Sequence, residues 1–187
     1  MTSGERGRPG QPGLFTVSIP EWSLAEDGQV LRRGDTYRSW WVFVEADREA
    51  RPTERLQRIT ADATLLPPWW GRLGPQSVRL DAGGAVLYWD APYPVEGPVE
   101  VHGWIEASHV DAPPDFPMND GIVRRVRLEW CEAMATGPRE RTVLIDKGRY
   151  EEVEASQIQP SETLGDGPVL SAVVVELEIA PTVTVRA

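Results

Sequence analysis

The chain is poor in residues that most often do chemistry or fasten a fold covalently. Of 187 residues one is a cysteine, Cys131, and two are histidines, His102 and His109. A single thiol excludes an internal disulfide, so the fold must rest on its own core, and one thiol within a strand pattern suits a reducing compartment, with the cytoplasm as the expected location. Long apolar runs are also missing. None of the runs, Ala172 to Val175 among them, approaches the roughly 20 residues that span a bilayer, and the N-terminal stretch lacks the apolar segment of a leader, so no membrane association is expected. Bases are outnumbered: 19 Lys and Arg stand against 29 Asp and Glu, for a net charge of −10. Phosphate neutralisation supplies most non-specific affinity for nucleic acid, so that balance disfavours a general nucleic-acid binder.

The catalytic signatures that can be read from one sequence are absent as well. There is no Gly-x-Ser-x-Gly, no Gly-x-x-x-x-Gly-Lys and no dinucleotide fingerprint. No cofactor is expected, and the residues favour a non-catalytic role.

What the chain has instead is punctuation and β-forming residues. Seventeen glycines and seventeen prolines separate runs rich in Val, Ile, Trp and Thr, a composition for short strands and turns. Residues 1–13 carry Gly and Pro with no apolar cluster to offset ordering entropy and are expected to be a disordered tail, leaving residues 14–187 as one β-rich domain. Phe15, Val17 and Ile19 alternate with Thr16 and Ser18 as a first strand closed by Pro20. Glu26-Asp27-Gly28 and Gly34-Asp35 read as turns. Tyr37 to Val44 is apolar on both faces, as a central strand would be. Between Ala46 and Pro68 helical and strand spacings compete; a short helix after Pro52 would put Arg48, Arg51, Arg55 and Arg58 on one face. Val78 to Leu80 and Ala85 to Trp89 flank Asp81-Ala82-Gly83-Gly84 as a hairpin.

The stretch from Val99 to Cys131 carries the clearest pattern. Val99, Val101, Gly103 and Ile105 share one face of a strand. Val126, Leu128 and Trp130 share one face of a second, which Val123 joins only if an extra residue is inserted at Arg124-Arg125, so a β-bulge is expected there. These two runs are expected to form a hairpin-like core joined by the proline-rich loop from Ser108 to Asp120. Arg141 to Asp146 reads as a short strand, Lys147 to Pro168 as loop, Val169 to Ile179 as a strand ended by Pro181, and Val183 with Val185 as a final edge. The expected class is therefore mainly β: a single small barrel, OB-like or SH3-like, or a compact sandwich, of about eight strands with at most one short helix.

The patterns Trp22…Gly28…Gly34-Asp35…Trp41 and Gly121-Ile122-Val123-Arg124-Arg125-Val126-Arg127 resemble those of small uncharacterised β-barrel proteins common in high-GC bacteria. The resemblance covers about half of the chain and implies a barrel-like fold; it implies no activity.

Four groups of residues are candidates for function. His102 and His109, with Asp111 and Asp115, are the weak candidates for a metal, but their spacing matches no established zinc pattern and a surface or hydrogen-bonding role suits them better. Ser108-His109 lacks a visible third member, and Cys131 lies between Glu129 and Glu132, whose charges disfavour a thiolate, so a small hydrolase or metal enzyme around His102 and His109 is the least supported function. Arg124, Arg125 and Arg127, with Trp104 and Trp130, combine cations and stacking aromatics as oligonucleotide-binding barrels do; pairing with Glu100, Glu106 or Glu129 across strands is an equal use for the arginines. Trp69 and Trp70, in the stiff loop Pro67-Pro68-Trp69-Trp70-Gly71, suit a protein interface or a lid over one barrel end. The acids gather at one end: from Tyr150 to Ala187 there are seven, including Glu151, Glu152 and Glu154, against one base, Arg186. The function expected is a binding or accessory module that recognises another protein, a basic one fitting best, through this acidic end and the aromatic loop.

Overall fold

A computed structural model of the chain describes residues 13–46, 53–68, 76–108, 113, 115–137, 140–156 and 167–180. It contains nine strands: β1 (Gly13–Pro20), β2 (Thr36–Glu45), β3 (Gln57–Leu65), β4 (Gln76–Ala82), β5 (Ala85–Ala91), β6 (Gly97–Ser108), β7 (Asn119–Gly137), β8 (Glu140–Val153) and β9 (Gly167–Ile179). Among the described residues one helix, α1 (Glu21–Asp27), follows β1, and a 3₁₀ turn, Thr53–Arg55, precedes β3.

Hydrogen-bonded neighbours run β2-β5-β4-β3-β6-β1-β9-β7, and β7 returns to β2, so these eight strands close a barrel while β8 extends the sheet outward from β7. Closure leaves no edge within the circuit. Most pairs are antiparallel; β1 with β6 and β2 with β5 are parallel. The turn residues fit this plan. Gly83 and Gly84, both at positive φ, form the tight connection of the β4–β5 hairpin, where a side chain would be strained.

The strand-forming runs place their alternate apolar residues inside. Phe15, Val17 and Ile19 from β1, Trp41 and Phe43 from β2, Leu87 and Trp89 from β5, and Val173, Val175 and Leu177 from β9 belong to one buried core. Phe15 meets Trp41 edge-on at 5.6 Å, and Phe43 meets Trp89 in the same way at 5.7 Å. Each such aromatic buries ~150–250 Å², worth ~4–6 kcal/mol as an upper bound. The bulge is present: Val123 opposes Leu177 and Arg125 opposes Glu176, leaving Arg124 as the extra residue. It shifts the phase so that Val123, Val126 and Leu128 all point into the core.

Several expectations are corrected. The runs around Val101 and Val126 do not form a hairpin with each other. Instead β6 and β7 lie end to end along β2, with Trp40 opposite Ser108 and the next residue, Ser39, opposite Asn119. β2 is thus the shared neighbour; Tyr37, Trp41 and Phe43 on its inner face are buried, and Trp40, Val42 and Val44 on its outer face are half-buried. The helix expected after Pro52 is only the 3₁₀ turn, because Ile59, Ala61 and Ala63 alternate inward along β3, whose backbone groups are taken by β4 and β6. Arg55 and Arg58 consequently do not share a face, since one is buried and the other exposed; Arg48 and Arg51 lie outside the described residues. The turn at Glu26-Asp27-Gly28 is the end of α1: Gly28 at φ 60° caps it, and its N–H with that of Gln29 bonds Ala25 O and Leu24 O. β7 runs on to Gly137, and the stretch assigned to loop from Lys147 is strand as far as Val153. From Arg149 to Val153 the side chains of β8 are exposed or half-buried, so no buried face imposes an apolar period there. Gly13 belongs to β1 rather than to a tail; residues 1–12, Val183 and Val185 lie outside the described residues. Among the described residues no helix is long and apolar enough to cross a membrane.

Candidate functional site

Beyond the bulge, the outward face of β7 carries Arg125, Arg127 and Glu129 in alternation. Pairing brings Glu176 of β9 opposite Arg125, and Glu152 and Tyr150 of β8 opposite Arg127 and Glu129. The 3₁₀ turn lies against this face and lowers Arg55 onto it. The side chains of Arg55 and Glu129 form an ion pair and are 3% and 1% exposed. Glu129 also accepts hydrogen bonds from Tyr150 Oη at 2.7 Å and Ser171 Oγ at 2.6 Å, while Arg55 Nη1 donates to Ser18 Oγ at 2.7 Å. Strands β1, β7, β8 and β9 and the 3₁₀ turn therefore meet at one ion pair.

Around this hub charges alternate. The Arg127 guanidinium lies over the Tyr150 ring, 5.6 Å from its centroid, and pairs with Glu54 at 3.3 Å and Glu176 at 3.8 Å. Arg125 reaches Glu152 at 2.6 Å and Glu176 at 3.4 Å. Burial pushes the Tyr150 hydroxyl above the usual tyrosine range against the opposing influence of Arg55. The hydrogen bond from Arg125 holds the Glu152 carboxyl below the usual range, and the same bond raises the Arg125 guanidinium.

Chemically, Glu129 is a committed carboxylate. Its oxygens are occupied by the ion pair with Arg55 and by the hydrogen bonds from Tyr150 and Ser171. Removing two charges from water costs several kcal/mol per ion and is repaid only by close pairing supported by further hydrogen bonds. The cluster fixes the 3₁₀ turn to the barrel wall.

A second polar group lies on the outside of the barrel at β4 and β5. Ser77 Oγ and Tyr88 Oη are 3.0 Å apart, Tyr88 donates to Asp90 at 2.6 Å, and Phe116 packs edge-on against the Tyr88 ring at 5.9 Å. Nearby, the side chain of Asn119 bonds both the N–H and the carbonyl of Val86.

Compared with known proteins, the chain matches no family model, no curated protein and no solved structure.

The arginine and tryptophan candidates do not assemble into one platform. Arg124, Arg125 and Arg127 are on β7, each bound to a carboxylate, Arg124 to Glu178 at 2.5 Å. Trp104 is buried on β6, opposite Val44 of β2, and its Nε1 bonds Glu106 at 3.0 Å. Trp130 is half-buried and bonds Glu151 at 3.2 Å. Of the acids, Glu151, Glu152 and Glu154 are exposed at the end of β8, with Glu152 held by Arg125. Leu14 and Ile122 are exposed on either side of Glu178 in the same cross-strand row.

His102 is exposed on β6 and Asp115 is exposed in a turn at φ 63°. His109 and Asp111 lie outside the described residues, as do Trp69 and Trp70. Among the described residues no group of three His, Cys, Asp or Glu is arranged to hold a metal ion. Cys131 is buried against Val169 as a core residue.

The Arg55–Glu129 pair was not visible in the sequence as a site. The only signal was indirect: three charged residues alternate along β7 between buried apolar ones, which requires partners from elsewhere in the chain.

Proposed function

We propose that the chain is a non-catalytic β-barrel module that recognises another protein, with a basic partner favoured. The observation that carries this is the neutralisation of the arginine face: Arg124, Arg125 and Arg127 are engaged by Glu178, Glu152, Glu176 and Glu54. With those cations matched, the net charge of −10 is expressed by the remaining acids, of which Glu151 and Glu154 stand exposed at the end of β8. The field around such a surface attracts cations and repels phosphate. Leu14 and Ile122, flanking Glu178, offer apolar contact of the kind that protein partners bury.

An oligonucleotide-binding role would require Arg124, Arg125 and Arg127 to exchange carboxylates for phosphates, and Trp104 to leave a buried position. No arrangement favours it over the protein partner. A buried Cys131 fits a reducing compartment, consistent with a cytoplasmic protein.

Affinity capture from cell lysate at low and at high salt tests the proposal. A protein captured at low salt and released at high salt, with capture lost on Glu154→Lys and on Trp69→Ala with Trp70→Ala while the melting temperature holds, is the expected result. Capture of nucleic acid, sensitive to Arg125→Ala, would overturn it.

A further inference from the structure

β8 is the last strand of the nine-stranded sheet. β7 lies on one side of it, and among the described residues no strand lies on the other. The bridge from Arg32 to Ala155 falls past its end. An open edge presents unpaired N–H and C=O groups to any strand of suitable direction, and proteins usually blunt such edges with proline, brevity or a covering element. β8 is 14 residues long and contains no proline; its register with β7 breaks between Arg149 and Leu144, and the stretch from Arg149 to Val153 is regular.

Three consecutive residues indicate what fits this edge. Arg149 and Glu151 are exposed and share one face of β8, on either side of Tyr150. Arg149 makes no ion pair among the described residues, and Glu151 is engaged by the Trp130 indole alone. The order cation, tyrosine, anion becomes its own complement when the strand is reversed. Antiparallel strands related by a twofold axis normal to their sheet keep opposed side chains on the same face only if the axis passes through a residue position. With that axis at Tyr150, Arg149 of each copy opposes Glu151 of the other, so the favourable pair occurs twice. The ladder would then be centred on Arg149 to Glu151, within the stretch of β8 from Arg149 to Val153 that stays in register with β7; Lys147 and Gly148 lie where that register breaks.

We propose that two copies of this chain associate by antiparallel pairing of β8 with β8 about an axis at Tyr150, joining their sheets into one. An unrelated extended peptide gains the backbone ladder but not the doubled charge match, and this selects a second copy. The dimer is independent of the protein partner proposed above: it requires only the open edge and the Arg149-Tyr150-Glu151 order.

Analytical ultracentrifugation tests it. Wild-type chain at about 100 μM sediments as a dimer and dissociates on dilution, as expected for a Kd of about 10 μM. Arg149→Glu and Glu151→Arg each put like charges opposite one another twice and weaken association at least tenfold, while circular dichroism and melting temperature stay those of the folded chain. An equal mixture of the two variants recovers the dimer, because each substituted side chain then meets its opposite charge in the other copy. A monomeric wild type at about 100 μM, a dimer indifferent to both single substitutions, or a mixture that remains monomeric would each overturn the proposal. Capture of a lysate protein is read separately, so either idea can fail without the other.

Discussion

Arg55 and Glu129 are paired inside the protein, the one brought by a 3₁₀ turn and the other by the outward face of β7. Breaking a buried pair leaves an uncompensated charge, which costs about 3–5 kcal/mol. Glu129→Gln and Arg55→Met are each expected to lose that much, seen as a lower denaturant midpoint at constant slope. Arg55→Met combined with Glu129→Leu removes both charges and should recover most of the loss. Single-variant losses below about 1 kcal/mol would show that the pair does not hold the turn to the barrel.

Asn119 sits at the start of β7 and uses its side-chain amide as a strand uses its backbone. Its Oδ1 accepts from Val86 N–H and its Nδ2 donates to Val86 O, both at 2.8 Å. Asn119→Ala leaves two part-buried backbone groups without this partner and is expected to cost about 2 kcal/mol, the low end of roughly 1–3 for each unsatisfied group because both are only part-buried. Asn119→Asp keeps the acceptor and loses the donor, so at neutral pH its carboxylate faces the Val86 carbonyl. Acidification restores a donor there, and the Asp variant should gain stability relative to the Ala variant as pH falls through the carboxylate range. Chemical denaturation across pH 3 to 7, a range set to straddle an ordinary Asp pKa of about 3.9, measures the difference; equal pH dependence of the two variants would sink this account.

The two kinds of glycine in this fold should respond differently to alanine. A Cβ on Gly103 would run into the Val44 carbonyl and the Phe43 ring, at the close approach of β6 and β2. Backbone cannot yield as a flexible side chain does, so Gly103→Ala should cost more than the ~1–3 kcal/mol of ordinary overpacking. Gly28, at φ 60°, has nothing within 4 Å of its Cβ position. Gly28→Ala should cost only the left-handed penalty of about 1–2 kcal/mol, and Gly28→Asn less. Thermal melts of the three variants decide it, and equal losses would be wrong for this packing.

What was legible in the sequence follows from where one force dominates. Along β1, Phe15, Val17 and Ile19 are selected by a single buried face, so the period of two survives and marks the strand. The bulge at Arg124 was legible for the same reason, since the apolar phase of Val123 and Val126 could be reconciled only by one extra residue. Legibility fails where tertiary partners override local pattern. Around Ile59 the same apolar residues satisfied helix and strand spacings, and the choice was made by β4 and β6 lying on either side. Val101 and Val126 were correctly placed in strands but wrongly paired with each other, because nothing local shows that β2 is long enough to serve both. Arg55 and Glu129 are strangers in sequence, and no spacing rule connects a 3₁₀ turn to the outer face of a distant strand. Of the candidate site, its arginines and the exposed acids of β8 were visible individually; that they neutralise each other was not.

Tyr150 gives the cluster a dependence on alkaline pH whose sign is fixed by geometry. Its hydroxyl proton is the one donated to Glu129, and burial raises its folded-state pKa above the unfolded value of about 10. A group with a raised folded pKa holds its proton more tightly when folded, so its contribution to stability is complete below about pH 10 and is lost as pH rises through the folded value. Tyrosinate there would also face the Glu129 carboxylate with no proton between them. The stability difference between wild type and Tyr150→Phe should therefore stay constant from about pH 7 to 9.5 and shrink above about pH 10. Urea unfolding at stepped pH gives that difference, and absorbance near 295 nm, an expected tyrosinate signal, follows the ionisation in the folded state. A difference that already declines below about pH 9 would mean that the Tyr150 proton is not held between these two side chains.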